Sequence, residues 1–248
     1  NTYLNCHYKF KLDNLYRIPR SKSPSMCFGT AVHFALEQLA TKKLTKSLFL
    51  QEFENALRRE ILSSTDYKDR LIHGQKILSS YYDYYQEEAK EVVFTEKSFG
   101  TSLTSQIYLD DIALTGKADR IDLINKSNKT VKFIDYKTGK PKTKNEIEGK
   151  TQNSNGDYKR QLVFYKLLSE LDNSFPYIVT ETEIDFVEPN EKGEFKKEKF
   201  SINTEEVESL KNLIKDSVTS IRKLDFSRTT DLKTCDTCPF YSHCWPNK

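Results

Sequence analysis

The feature that most constrains this chain is a pair of segments with a two-residue period, 112–124 and 130–136, separated only by the short polar run 125–129. Alternating segments joined by so short a connection predict an antiparallel hairpin. On a strand, residues two apart share a face. Val131, Phe133, Asp135 and Lys137 therefore lie on one side, and an apolar strand ends in a carboxylate and an ammonium. Asp119, in Gly116-Lys117-Ala118-Asp119-Arg120-Ile121-Asp122, sits on the neighbouring strand and brings a second carboxylate towards the same point.

The rest of the chain reads as layers around that hairpin. Helices are expected at 30–40, 45–62 and 66–88. The second carries Phe49, Phe53, Leu57 and Ile61, and the third Leu71, Leu78, Tyr81 and Tyr85, at helical spacing that marks core-facing stripes. From Glu91 the period changes to two; Leu103, Ile107 and Leu109 alternate with polar residues, and Asp110-Asp111 reads as a turn. A lysine-rich loop at 138–156 precedes a helix at 157–171, strands at 177–187 and 194–202, and a helix at 204–224 capped by Asn203 or Thr204. This order predicts an α/β protein. We expect one domain over 1–248: a helical part at 11–90, a sheet core at 91–202, and a terminal segment at 225–248 that acts with Cys6.

Composition narrows the class. The 248 residues can bury a sizeable core, and 37% hydrophobic with 12% aromatic content excludes a disordered chain. The net charge of +3 arises from 39 basic against 36 acidic residues, so a nucleic-acid partner would have to be met by local basic patches. No apolar run is long enough to span a membrane and no leader pattern is visible, which leads us to expect a cytoplasmic protein. The start at Asn1 rather than Met leads us to expect a piece of a longer polypeptide.

Two carboxylates with a backbone carbonyl and waters suit Mg²⁺, which takes hard oxygen ligands and keeps waters for a substrate phosphate. A nearby lysine can orient a water and stabilise the charge of phosphodiester hydrolysis. A bare Asp-x-Lys is usually a solvated surface pair, so other elements must carry the case. His33 lies in Gly29-Thr30-Ala31-Val32-His33 at the start of the first helix, with Glu37 four residues on. Gln161 and Tyr165 are also four apart, on the helix after the hairpin, beside Lys159 and Arg160.

In this order the elements resemble the RecB-like branch of the PD-(D/E)XK nuclease superfamily, whose pattern is a helix His, G-x-x-D-R-x-D, D-Y-K-T-G and a helix Q-x-x-x-Y. The resemblance implies a restriction-endonuclease-like core, with a mixed central sheet flanked by helices. It implies His33, Asp119 and Asp135 as ligands of Mg²⁺ or Mn²⁺ together with the Tyr136 carbonyl, Lys137 as the catalytic lysine, and Gln161 and Tyr165 as residues that order the site or contact DNA.

Of five cysteines, three crowd the end as Cys235-x2-Cys238-x5-Cys244, a pattern that suits Zn²⁺ or an iron–sulfur cluster if a fourth ligand is found. His243 is one candidate. Tyr3-Leu4-Asn5-Cys6-His7-Tyr8-Lys9-Phe10 is similar to the segment that supplies the first cluster cysteine in AddB-type and helicase-fused nucleases. That resemblance implies a [4Fe–4S] cluster on Cys6, Cys235, Cys238 and Cys244, joining the terminal segments. Phe240, Tyr241 and Trp245 would shield it, and Cys27 is left as an ordinary residue.

The expected activity is Mg²⁺-dependent DNA hydrolysis, exonucleolytic on single strands or ends, in repair or recombination, as the nuclease module of a helicase–nuclease. Lys140, Lys142 and Arg160, with Lys144, are the candidate phosphate contacts, and Tyr8, Phe10, Tyr16 and Arg17 weaker candidates near the cysteines. The alternatives are a non-catalytic DNA-end-binding module held together by its metal cluster, and a zinc-stabilised interaction domain.

Overall fold

The computed structural model describes residues 1–85, 91–102 and 105–245. Its elements are α1 (Thr2–Asn5), α2 (His7–Phe10), a π-helical turn (Lys11–Leu15), α3 (Pro24–Lys42), α4 (Lys46–Arg58), α5 (Ser64–Tyr85), β1 (Val92–Phe99), β2 (Ile107–Leu109), β3 (Ile112–Leu114), β4 (Gly116–Asn125), β5 (Thr130–Lys137), α6 (Lys144–Ile147), α7 (Asp157–Leu171), β6 (Ile178–Phe186), β7 (Lys196–Phe200), α8 (Thr204–Arg222), α9 (Leu232–Asp236) and α10 (Tyr241–Cys244). The chain divides into two compact units, residues 1–20 with 209–248, and residues 21–208.

The larger unit is an α/β fold around a five-stranded sheet of order β1-β4-β5-β6-β7. The expected hairpin is β4–β5, antiparallel, with Asn125 Oδ1 accepting the Asn128 N–H in the turn. β1 and β7 also pair antiparallel with their neighbours, whereas β5 and β6 are parallel, so the sheet is mixed. A parallel pair needs a crossover, and α7 provides it. β5 is the central strand, buried without a break from Phe133 to Tyr136. Its Ile134 and Tyr136 join the α3–α5 core of Phe28, Val32, Phe49, Phe53, Leu57, Leu78 and Tyr81. On the other face Phe133 lies edge-on to Tyr165 and Phe175, with centroids 6.2 and 5.8 Å away.

Several boundaries differ from the sequence expectations. α3 starts at Pro24, six residues earlier than predicted, because Ser23 Oγ accepts the Met26 N–H and proline is well placed in a first turn. α4 stops at Arg58, so Ile61 lies beyond it, 92% exposed, outside the core stripe. The period-two run from 112 is two strands broken at Thr115, and β2–β3 form a separate hairpin around the Asp110-Asp111 turn. The loop at 138–156 contains α6, held by a reciprocal capping box between Thr143 and Glu146. Asn203 is the α8 cap, accepting the Glu206 N–H through Oδ1 at 2.8 Å. Leu103 and the expected extension of α5 past Tyr85 lie outside the described residues.

Gly116 lies where α7 crosses β4. A Cβ there would stand 2.4 Å from Leu168 Cδ1 and 3.2 Å from Phe164 Cε1, so a side chain would force these two α7 side chains to shift.

The smaller unit gathers both chain ends. Tyr3 donates its phenol O–H to the Asp225 carbonyl at 3.0 Å, the Tyr8 N–H reaches the Ser227 carbonyl at 3.1 Å, and Tyr3 stacks on His7 at 4.0 Å. Among the described residues no helix is long and apolar enough to cross a membrane.

Candidate active site

The β4–β5 ladder ends at the pair Arg120↔Ile134. Beyond it Asp119 replaces the backbone partner: its Oδ2 accepts the Tyr136 N–H at 2.8 Å. The same carboxylate presents Oδ1 to His33 Nδ1 on α3, 3.4 Å away. Burial disfavours the imidazolium of His33, but the hydrogen bond and charge of Asp119, helped by Asp135 and Glu96, more than offset this and raise its pKa above the ordinary histidine value.

On β5, Asp135 is 1% exposed. Its Oδ1 accepts the Tyr165 O–H at 2.9 Å, and Gln161 donates Nε2–H to that phenol oxygen at 2.7 Å. Lys137 donates to Gln161 Oε1 at 2.7 Å and closes a four-residue ring. The Lys137 ammonium also lies 2.6 Å from Asp135 Oδ2 and is that oxygen's charged partner. Burial pushes the Asp135 carboxyl up to about 6; Lys137 opposes the shift and Asp119 adds to it. The Tyr165 phenol is raised by burial and then by the charges of Asp135 and Asp119, so it stays protonated and serves as a donor.

The opposite face braces Tyr136. Arg120 grips Asp122 through Nε (2.6 Å) and Nη2, and donates Nη1–H to the Tyr136 phenol at 3.1 Å. Arg120 and Asp122 are both buried, and this fork holds the residue whose backbone lies between Asp135 and Lys137.

Two participants were not foreseen. Among the described residues, the one group of three metal-binding side chains whose donor atoms lie within 4.8 Å of one another is His33, Glu96 and Asp119. Asp135 is not part of it. Glu96 comes from β1, and the pairs Thr95↔Arg120 and Lys97↔Ala118 set it across from Asp119. Nothing in the local sequence around Glu96 carries that register. The second is Tyr158, whose ring centroid lies 4.6 Å from Lys137 Nζ and 4.1 Å from Lys142 Nζ; an aromatic one turn before Gln161 was the available signal. Of the other basic candidates, Lys140 is exposed, whereas Arg160 spends both terminal nitrogens on the Asn155 carbonyl at 3.1 Å. His33, Glu37, Glu96, Lys117, Asp119 and Thr138 line an open cleft of about 590 Å³.

In the smaller unit, Cys6, Cys235, Cys238 and Cys244 line one cavity with Tyr8, Phe240, Tyr241 and Trp245, and His243 is not among its lining residues. The Cys244 thiol is raised by burial, opposed by Arg228 and reinforced by the other three cysteines. Cys27 is a fully buried residue of the larger unit.

The sheet order, the crossover helix and the carboxylate-bearing end of β5 define a restriction-endonuclease-like α/β core. The chain belongs to the PD-(D/E)XK nuclease superfamily, whose model matches residues 1–245. Among solved structures it is similar to one from Eubacterium rectale named as a candidate exonuclease, with a TM-score of 0.50 and 10% identity over 96% of this chain and 80% of that one. A second, the crystal structure of SSO0001, has a TM-score of 0.37 and 15% identity over 94% and 91%. No curated protein matches the sequence.

Proposed function

We propose that this chain is a divalent-metal-dependent deoxyribonuclease acting on single strands or DNA ends, as the nuclease module of a RecB- or AddB-like helicase–nuclease in repair or recombination. The observation that carries the reading is the buried Asp135 carboxylate, ion-paired with Lys137 at 2.6 Å on the same strand and next to the strand that presents Asp119. Two carboxylates beside one ammonium offer hard oxygen donors for a divalent ion and a proton donor for a phosphate oxygen. The family name and the name of the Eubacterium rectale structure support nuclease and exonuclease chemistry.

The donor set is mainly hard carboxylate oxygen with one borderline imidazole nitrogen, and fits Mn²⁺ or Mg²⁺. His33, Asp119, Asp135 and the Tyr136 carbonyl would hold the ion, which when bound supplies Lewis-acid polarisation of the scissile phosphate. Lys137 would donate to the attacking water or to the phosphoryl oxygen that gains charge. Gln161 and Tyr165 keep that ammonium beside Asp135, while Lys140 and Lys142, with Lys142 against Tyr158, would hold the backbone on the near side.

The cysteine cavity supports the second part of the proposal, a [4Fe–4S] cluster. The four cysteines line one cavity, as the ligands of a single metal group would. The apolar rings around them fit its need for shielding. Its role would be structural, tying segments from the two ends of the chain.

The reading is tested with end-labelled linear and covalently closed circular single-stranded DNA in Mg²⁺ and in chelator. We expect the linear strand to be degraded, the circle to survive and chelator to stop the reaction. Cutting of the circle at the same rate would replace exonuclease with endonuclease, and no cutting of either would overturn the proposal.

A further inference from the structure

We propose that Glu96 is a ligand of the divalent ion beside His33 and Asp119, and that Lys117 is its resident counter-ion, holding the Glu96 carboxylate while no ion is bound and passing to a DNA phosphate when one enters. This rests on the reading of His33 and Asp119 as a cation site.

The geometry begins with register. β1 is an edge strand, yet its pairing with β4 places Glu96 across from Asp119, and His33 reaches the same point from α3. Glu96 holds a left-handed backbone, φ +48°, in the middle of a strand, a conformation a residue with a Cβ adopts only where its surroundings impose it. His33, Glu96 and Asp119 together offer one nitrogen and two carboxylates, a chemically mixed donor set suited to a divalent ion.

Lys117 already supplies positive charge to one of these carboxylates. Its ammonium pairs with Glu96 Oε2, and both side chains line the open cleft. The Lys117 side chain is 55% exposed against 19% for Glu96, so the ammonium comes from the solvent side. Among the described residues the Lys117 ion pair is with Glu96, and its side chain, more than half exposed, can swing towards solvent. A divalent ion brings twice the charge to the same carboxylates and repels the ammonium at short range. Once displaced, the ammonium stands in the cleft where a phosphate would lie, and charge-assisted contact with that phosphate would hold it there.

The test is a titration of the full-length chain with Mn²⁺, following free Mn²⁺ by its EPR signal, for wild type, Glu96→Gln, Lys117→Met and Asp119→Asn, with the affinity for a single-stranded oligonucleotide measured beside it. Glu96→Gln is expected to weaken Mn²⁺ binding by about 10-fold or more. Lys117→Met is expected to tighten Mn²⁺ binding while weakening oligonucleotide binding, a pair of opposite signs that misfolding cannot produce. Wild-type affinity in Glu96→Gln, with loss in Asp119→Asn, would overturn the role of Glu96 and leave the cation site standing. Weaker Mn²⁺ binding in Lys117→Met would overturn the counter-ion role. Undiminished binding in Asp119→Asn would remove the cation site itself.

Discussion

The Tyr165 phenol on α7 donates a 2.9 Å hydrogen bond to Asp135 Oδ1 on β5, and so couples the crossover helix to the carboxylate of the central strand. Gln161, one turn earlier, holds the same phenol and Lys137 at once. The two residues of the helix motif are therefore hydrogen-bonded to the two residues of the strand motif, where they can hold them in place.

Tyr165→Phe removes the neutral hydrogen-bond donor to the buried Asp135 carboxylate and leaves Lys137 beside it. Since that bond lowers the Asp135 pKa, its loss moves the pKa further above about 6. The acid limb of the pH–rate profile should shift to higher pH, with a smaller change on the alkaline side. A profile that only scales down would show that Tyr165 does not act through Asp135.

Asp135→Asn should stabilise the metal-free protein at pH 8 while abolishing activity. The folded-state pKa is raised from 3.8 to about 6, so the stabilising contribution of Asp135 is present below pH 3.8 and is lost as pH rises through about 6. Above that, folding carries the cost of a buried charge that asparagine lacks. The melting temperature of the variant should exceed wild type at pH 8, by roughly 2–4 °C for each kcal/mol relieved, and the gap should close near pH 4.

The hairpin and the placement of its charged residues were legible because each is local. A short turn sets β4 against β5, and period two puts Asp135 and Lys137 on one side, where α7 later supplies Tyr165. Glu96 was not legible, since its position opposite Asp119 depends on β1 pairing with β4, a strand joined to it through an intervening hairpin. The early start of α3 and the presence of α6 were written in Ser23-Pro24 and in Thr143-x-x-Glu146, cap signals that hydrophobic periodicity passes over. The helical turns of residues 2–15 are too short to show a period at all.

Arg120→Ala should destabilise strongly, by about 3–5 kcal/mol, because it leaves the Asp122 carboxylate buried without its cation. Arg120→Lys should recover only part of this, since an ammonium cannot reproduce the fork on Asp122 and the contact to Tyr136 together. Urea unfolding of both variants checks the order.

Cys6→Ser separates the two candidates for the fourth cysteine-centre ligand. After anaerobic purification the wild type should carry iron and a broad absorbance near roughly 400 nm, and the variant should lose most of both with a lower melting temperature. Retained iron in Cys6→Ser with loss in His243→Ala would reassign the fourth position. Stoichiometric zinc in colourless wild type would replace the cluster by a single ion.

The central claim is that Lys137, Asp119 and Asp135 form a phosphodiesterase centre. Its most direct measurement is the Mg²⁺-dependent rate of nucleotide release from linear single-stranded DNA by wild type and by Lys137→Ala, both verified as folded by circular dichroism. We expect release by the wild type and a fall of about 10²-fold or more in the variant, with Mg²⁺ unable to restore it. Equal rates in the two proteins would contradict the account.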